Sequence, residues 1–151
     1  MTKSEINQKI FQLERDIADT EKRKAETEKN IRQLNVLNAR CNDYQAEFES
    51  VRIARKIKRE DIIQISGQEK FVGAYDGILG ELLDGSEYIG AYGSMDTVKS
   101  EIGREIERQR QIINECNSQI ASFNSSISYR RQELARADEE VKDALYRVSY
   151  R

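Results

Sequence analysis

The chain of 151 residues contains no histidine, no proline and no tryptophan, and it has only two cysteines. Without histidine there is no imidazole base for a nucleophilic triad, and two thiols cannot make a four-thiolate metal site. Long apolar runs are also missing. No stretch approaches the ~20 apolar residues of a membrane-spanning helix, so no membrane insertion is expected. The N-terminus, MTKSEINQ, lacks the apolar core of a cleavable signal peptide. The expected location is cytoplasmic, with any export served by another route. There is no P-loop, no nucleotide-binding glycine fingerprint and no carboxylate dyad in a recognisable setting, so neither an enzyme nor a cofactor site is expected.

What the chain has in abundance is charge. Asp, Glu, Lys and Arg make up 34% of it, hydrophobic residues only 38%, and mean hydropathy is −0.77. Such a composition yields long helices where a helical period is present and disorder where it is not. The net charge of −2 gives no overall field to recruit nucleic acid or an anionic membrane. Residues 1–66 and 94–151 are balanced in charge, whereas residues 67–93 carry one Lys against five Asp and Glu. Seven of the eight glycines fall between Gly67 and Gly93.

Apolar spacing predicts two helical arms. The first reads Ile6, Ile10, Leu13, Ile17, a polar gap at Thr20, Lys24 and Thr27, then Ile31, Leu34, Leu37, Cys41, Tyr44, Phe48 and Val51. Alternating steps of four and three mark a coiled-coil seam. The two consecutive three-steps at Leu34 and Leu37 predict a stammer that overwinds the supercoil. The second arm reads Val98, Ile102, Ile106, Gln109, Ile113, Cys116, Ile120, Phe123, Ile127, Arg130, Leu134, Ala137, Val141, Ala144 and Val148. Asp96 and Thr97 offer a capping start for it. The fold class expected is all-α: a long antiparallel helical hairpin, coiled-coil-like, forming a single elongated domain. Arm 1 covers about 4–66, the tip 67–94 and arm 2 about 95–150. A register pairing residue i with residue 157 − i sets Cys41 against Cys116, Phe48 near Gln109, and the turn near Ile78.

Two readings of the middle compete. A flexible or β-hairpin linker would use its glycines as turns. A short helix between bends at Ser66-Gly67 and Asp84-Gly85 would keep Phe71, Tyr75, Ile78 and Leu82 in helical phase, at the ~1 kcal/mol that each glycine costs relative to alanine. The phase favours the structured, close-packing tip, with Phe71, Gly73, Tyr75, Ile78 and Leu82 as its partner-binding motif.

Phe71-Val72-Gly73 lies between two helical arms and is followed by Tyr75, Tyr88 and Tyr92. In this the chain resembles the WXG-like, LXG-toxin-associated small helical-hairpin proteins of the type VII secretion system of Gram-positive bacteria, with Phe71 where their Trp-x-Gly element has tryptophan. The resemblance implies a non-enzymatic partner, or targeting chaperone, that packs on the helical N-terminal domain of an LXG polymorphic toxin. It also implies a second small helical protein in the complex and co-export through type VII secretion. Tyr129-Arg-Arg-Gln-Glu133 fits the Tyr-x-x-x-Asp/Glu export spelling of such systems, although it lies well inside the arm.

Other features have readings both plain and specific. Cys41 and Cys116 are either small seam hydrophobes or a cross-hairpin disulfide formed after export. Arg52, Arg55, Lys56, Lys58 and Arg59 form the densest basic stretch. Balanced arms make a solvated face the better reading than a nucleic-acid surface. The acidic residues Glu69, Asp76, Glu81, Asp84 and Glu87 lack calcium-loop spacing. Alternatives to the toxin-partner reading are a prefoldin-like coiled-coil chaperone subunit and a generic coiled-coil scaffold, with homo-oligomers formed in isolation. Phe11, Val36, Ile53, Ile57, Ile62, Ile63 and Ile112 lie off the seam, a surplus that an interaction partner would cover.

Overall fold

The structure, a computed structural model, describes residues 1–65, 80 and 85–150. It is an all-α helical hairpin: α1 spans Lys3–Ile65 and α2 spans Ser86–Ser149, with no strand among the described residues. Two compact units make up the chain. One joins Met1–Ile31 with Arg108–Arg151, and the other is Arg32–Glu107.

In the first unit, α1 starts on a capping box spelled Thr2-Lys-Ser-Glu5. The Glu5 amide donates to Thr2 Oγ1 at 3.2 Å and the Thr2 amide donates to Glu5 Oε2 at 2.7 Å, satisfying two donors that a helix start leaves without partners. These bonds hold the Glu5 carboxyl below its ordinary value. The seam of α1 here is Ile6, Ile10, Leu13, Ile17, Thr20, Lys24, Thr27 and Ile31, each buried or half-buried. The polar gap therefore stays in phase. Thr20 and Thr27 are buried because each hydroxyl donates back along its own helix, to Asp16 O at 2.7 Å and Arg23 O at 2.8 Å. Opposite them α2 presents a seam from Gln109 through Ile113, Cys116, Ile120, Phe123, Ile127, Arg130 and Leu134 to Ala137. Cys116 is wholly buried, and Ile6 and Ile127 nearly so. Each buried aliphatic side chain contributes about 1.5–3 kcal/mol through removal from water.

In the second unit the α1 seam is Leu34, Asn38, Cys41, Gln45, Phe48 and Arg52, and the α2 seam is Tyr88, Tyr92, Met95, Lys99, Ile102 and Ile106. The expected stammer is absent. Leu37, Tyr44 and Val51 are exposed, and the seam runs one residue later through the polar Asn38, Gln45 and Arg52. The start of arm 2 also moves. Ser86 opens α2, so residues 86–94, expected in the tip, are helical, and Asp96 and Thr97 are interior rather than capping. Thr97 Oγ1 donates to Gly93 O at 3.1 Å, a mid-helix bond to its own turn. Val98 lies off the seam and is exposed.

The 157 − i register is corrected in both units. Lys3–Asp138, Glu14–Arg131 and Asn30–Gln109 in the first unit have residue numbers that sum to 139–145. In the second unit the contacts of Gln45 with Tyr92, Asp96 and Lys99 and of Phe48 and Glu49 with Tyr88 give sums of 136–144. Phe48 thus meets Tyr88, not Gln109. Gly85 forms a bend just before α2, and its carbonyl accepts from the Ile89 amide at 3.2 Å. The tip motif Phe71, Gly73, Tyr75, Ile78 and Leu82, the bend at Ser66-Gly67 and the turn near Ile78 lie outside the described residues.

Candidate functional surface

The second unit has a polar layer inside an otherwise mixed seam. Gln45 is 6% exposed, a burial that costs stability unless its amide is bonded. Its Nε2 donates to Asp96 Oδ1 at 2.8 Å and to Tyr92 O at 3.5 Å, and its Oε1 accepts from Lys99 Nζ at 2.9 Å. Lys99 also lies 3.9 Å from Asp96. A buried amide satisfied by groups of the facing helix fits only one alignment of the two helices, so this layer fixes register.

A turn away, an aromatic and charged cluster closes the same unit. The Phe48 and Tyr88 rings stack with centroids 4.9 Å apart and planes 5° from parallel, and Tyr92 lies 6.1 Å from Tyr88. The Arg52 guanidinium sits 4.8 Å over the Tyr88 ring and grips Glu49 with both Nε, at 3.1 Å, and Nη2, at 2.6 Å. The Tyr88 hydroxyl donates to Glu49 Oε2, the same oxygen that accepts from Arg52 Nε. Arg52 chiefly, and then Tyr88, pull the Glu49 pKa from 4.5 down to about 2. The same carboxylate raises that of Tyr88, because ionising the phenol would lose its hydrogen bond and set two anions together. Arg52, the first residue of the basic run, is therefore a seam residue; Arg55 and Lys58 are exposed. These bonds favour the ionised carboxylate of Glu49 and the protonated phenol of Tyr88.

The exposed flank of the second unit carries the feature best suited to recognition. Leu37, Tyr44 and Val51 recur every seven residues and form one row about 21 Å long on α1. Each immediately precedes a seam residue. In an antiparallel helix pair such positions on the two helices lie on one flank, so Val98, which precedes Lys99, joins the row from α2. Their exposures, 45%, 60%, 50% and 44%, leave an apolar strip that the pair itself does not cover. Apolar periodicity had placed all four in the seam; the signal that separates the two roles is the phase shared by Gln45, Phe48 and Arg52. Of the off-seam surplus, Phe11, Val36, Ile53 and Ile57 are exposed and Ile112 is half-buried. The side chains of Ile62 and Ile63 lie outside the described residues.

The remaining candidates are dispersed. In the first unit Tyr129 is exposed, the Arg130 guanidinium lies 5.5 Å from its ring, and Glu133 accepts from Arg130 at 2.8 Å. That bond, foremost, lowers the Glu133 pKa. Both cysteines are free thiols, Cys116 in the first unit and Cys41, half-buried, in the second. The observed registers set Cys41 level with Lys99 and Cys116 level with Lys24, so the pairing drawn from the 157 − i register does not hold. Of the acidic residues expected in the tip, Glu69, Asp76, Glu81 and Asp84 lie outside the described residues, as does the side chain of Glu87. Among the described residues no three Asp, Glu or Cys side chains gather as a metal site, and no helix is long and apolar enough to cross a membrane. Comparison with family models, with curated proteins and with solved structures finds no match for the chain.

Proposed function

We propose that the protein is a non-enzymatic binding partner for another long helical protein, which packs along the Leu37–Tyr44–Val51 flank of the second unit. The exposed apolar row carries this reading, because a row in helical phase with a seam beside it is the form in which a two-helix pair accepts a third helix. The partner we propose is the helical N-terminal domain of an LXG toxin, with a second small helical protein in the complex and export through type VII secretion. The Phe71-Val72-Gly73 resemblance supports that choice, and the exposed Tyr129 is compatible with an export motif shared with Glu133. The chain itself would act from the cytoplasm as a targeting chaperone.

Co-expression with an LXG toxin N-terminal domain and affinity capture tests the reading. Wild-type protein should be retained. Tyr44→Lys with Val51→Lys, both at exposed positions, should reduce retention by at least tenfold, as expected for loss of an aromatic anchor. Failure of the wild type to be retained sinks the LXG partner; equal retention of the double variant sinks the flank. Parallel Phe71→Ala and Gly73→Ala variants report on the tip.

A further inference from the structure

In the second unit α1 carries two seams that share half their residues. The observed one is Leu34, Asn38, Cys41, Gln45, Phe48 and Arg52, and the exposed row Leu37, Tyr44 and Val51 makes another with the same Leu34, Cys41 and Phe48. Both keep steps of four and three. Turning α1 by about 50°, one seventh of a turn, exchanges them. The exchange brings Asn38, Gln45 and Arg52 out of the seam and puts three apolar side chains into it. The helix α2 offers a matching register. In the observed one Cys41 lies level with Lys99. Advancing α1 by three residues, about 4.5 Å, sets Leu37 against Ile106, Cys41 against Ile102, Phe48 against Met95 and Val51 against Tyr92, with Tyr44 over Lys99. Every α2 seam residue keeps its place, and the alternation of seam positions across an antiparallel pair is preserved. On the flank, Arg40 comes beside Glu105. The stammer spelled at Leu34 and Leu37, absent from the observed register, is this three-residue advance.

We propose that the second unit is a two-register hairpin. Gln45 holds α1 in the observed register, which displays the Leu37–Tyr44–Val51 row, and without Gln45 the helix advances to the register that buries the row. The choice turns on Gln45 because its amide is 6% exposed and its partners all lie on α2: Asp96 at 2.8 Å, Lys99 at 2.9 Å and the Tyr92 carbonyl at 3.5 Å. Apolar content alone favours the other register. Burying a polar side chain in the seam is costly, and in the observed register these bonds offset the cost. Gln45 is thus a positioning residue for the flank, acting through the alignment of α1 with α2. A helix that docks on the row binds the first register only and draws the unit toward it, while the second register conceals the row. That consequence rests on the docking reading of the flank; the two registers do not.

Alkylation of the folded full chain by N-ethylmaleimide, with each modified thiol located by mass spectrometry, tests the proposal with no partner present. A Val51→Cys chain carries three thiols. Cys41 is a seam residue in both registers and Cys116 is wholly buried in the first unit, so these two are internal references. The thiol at position 51 should react readily while Gln45 is present. Adding Gln45→Ala should slow it at least tenfold, with helical circular dichroism retained and the Cys41 rate unchanged. An unchanged or faster rate at position 51 would overturn the proposal, because the row would still be displayed. A rise in Cys41 reactivity or a loss of helical signal would overturn it too, because the unit would then have loosened instead of changing register. Either failure leaves the docking reading in place, since docking needs only the observed register.

Discussion

At the scale of single residues, Glu49 carries the sharpest pH signature. Its carboxyl titrates near 2 in the folded chain, against an ordinary value of 4.5, because Arg52 and Tyr88 both bond to the ionised form. A carboxyl whose pKa is depressed by folding binds fewer protons folded than unfolded between those two values. Its contribution is therefore complete above about pH 4.5 and is lost as pH falls toward 2. Thermal melts of wild type and Glu49→Gln at pH 6 and pH 2.5 should differ most at pH 6 and converge at the acid end. A constant gap across that range would show that Glu49 acts through packing rather than charge. Gln45 makes a complementary point about legibility. A scan for apolar residues skips it, yet it is among the most buried side chains of the second unit, because Asp96, Lys99 and the Tyr92 carbonyl meet its amide.

At the scale of elements, the periodicity of α2 was plain in the sequence because its seam from Ile102 to Ala137 is mostly aliphatic. Its N-terminal end was not. At the N-terminal end the seam residues are Tyr88, Tyr92, Met95 and Lys99, interspersed with glycines that read as breakers. For α1 the seam beyond Leu34 alternates polar and apolar side chains, and Leu37, Tyr44 and Val51 supplied a competing apolar row one residue ahead. The capping box at Thr2 and Glu5 was spelled in the sequence and would have marked the start of α1 without any periodicity. The helical glycines lead to a prediction. Gly90, Gly93 and Gly103 all lie in α2, none has a positive φ, and a Cβ at each would meet nothing within 4 Å. Bare backbone at these positions costs conformational entropy without serving any contact in the described structure. Gly103→Ala should stabilise the chain by about 1 kcal/mol and raise its Tm by about 2–4 °C, measured by calorimetry. An unchanged or lowered Tm would mean that the position meets something outside the hairpin.

At the scale of the whole molecule, the chain spends its limited apolar content on two narrow seams and leaves a second set of apolar residues in solvent. The first expenditure gives the fold. The second adds nothing to the free chain, and a partner that binds only the folded form adds stability by mass action, about 2.7 kcal/mol when its free concentration is a hundred times its Kd. For a chain of this length that corresponds to a rise in Tm of roughly 5–10 °C. Melting the protein with and without an excess of the proposed LXG helical domain should show that rise, and Tyr44→Lys/Val51→Lys should melt at the wild-type temperature alone but gain nothing from the partner. The comparison separates recognition from folding: Tyr44 and Val51 are exposed, so their replacement leaves the Gln45 layer and the Phe48–Tyr88 stack in place. A rise in Tm that the double variant also shows would place the partner on a different face of the hairpin, while no rise for either protein would remove this domain from the list of partners.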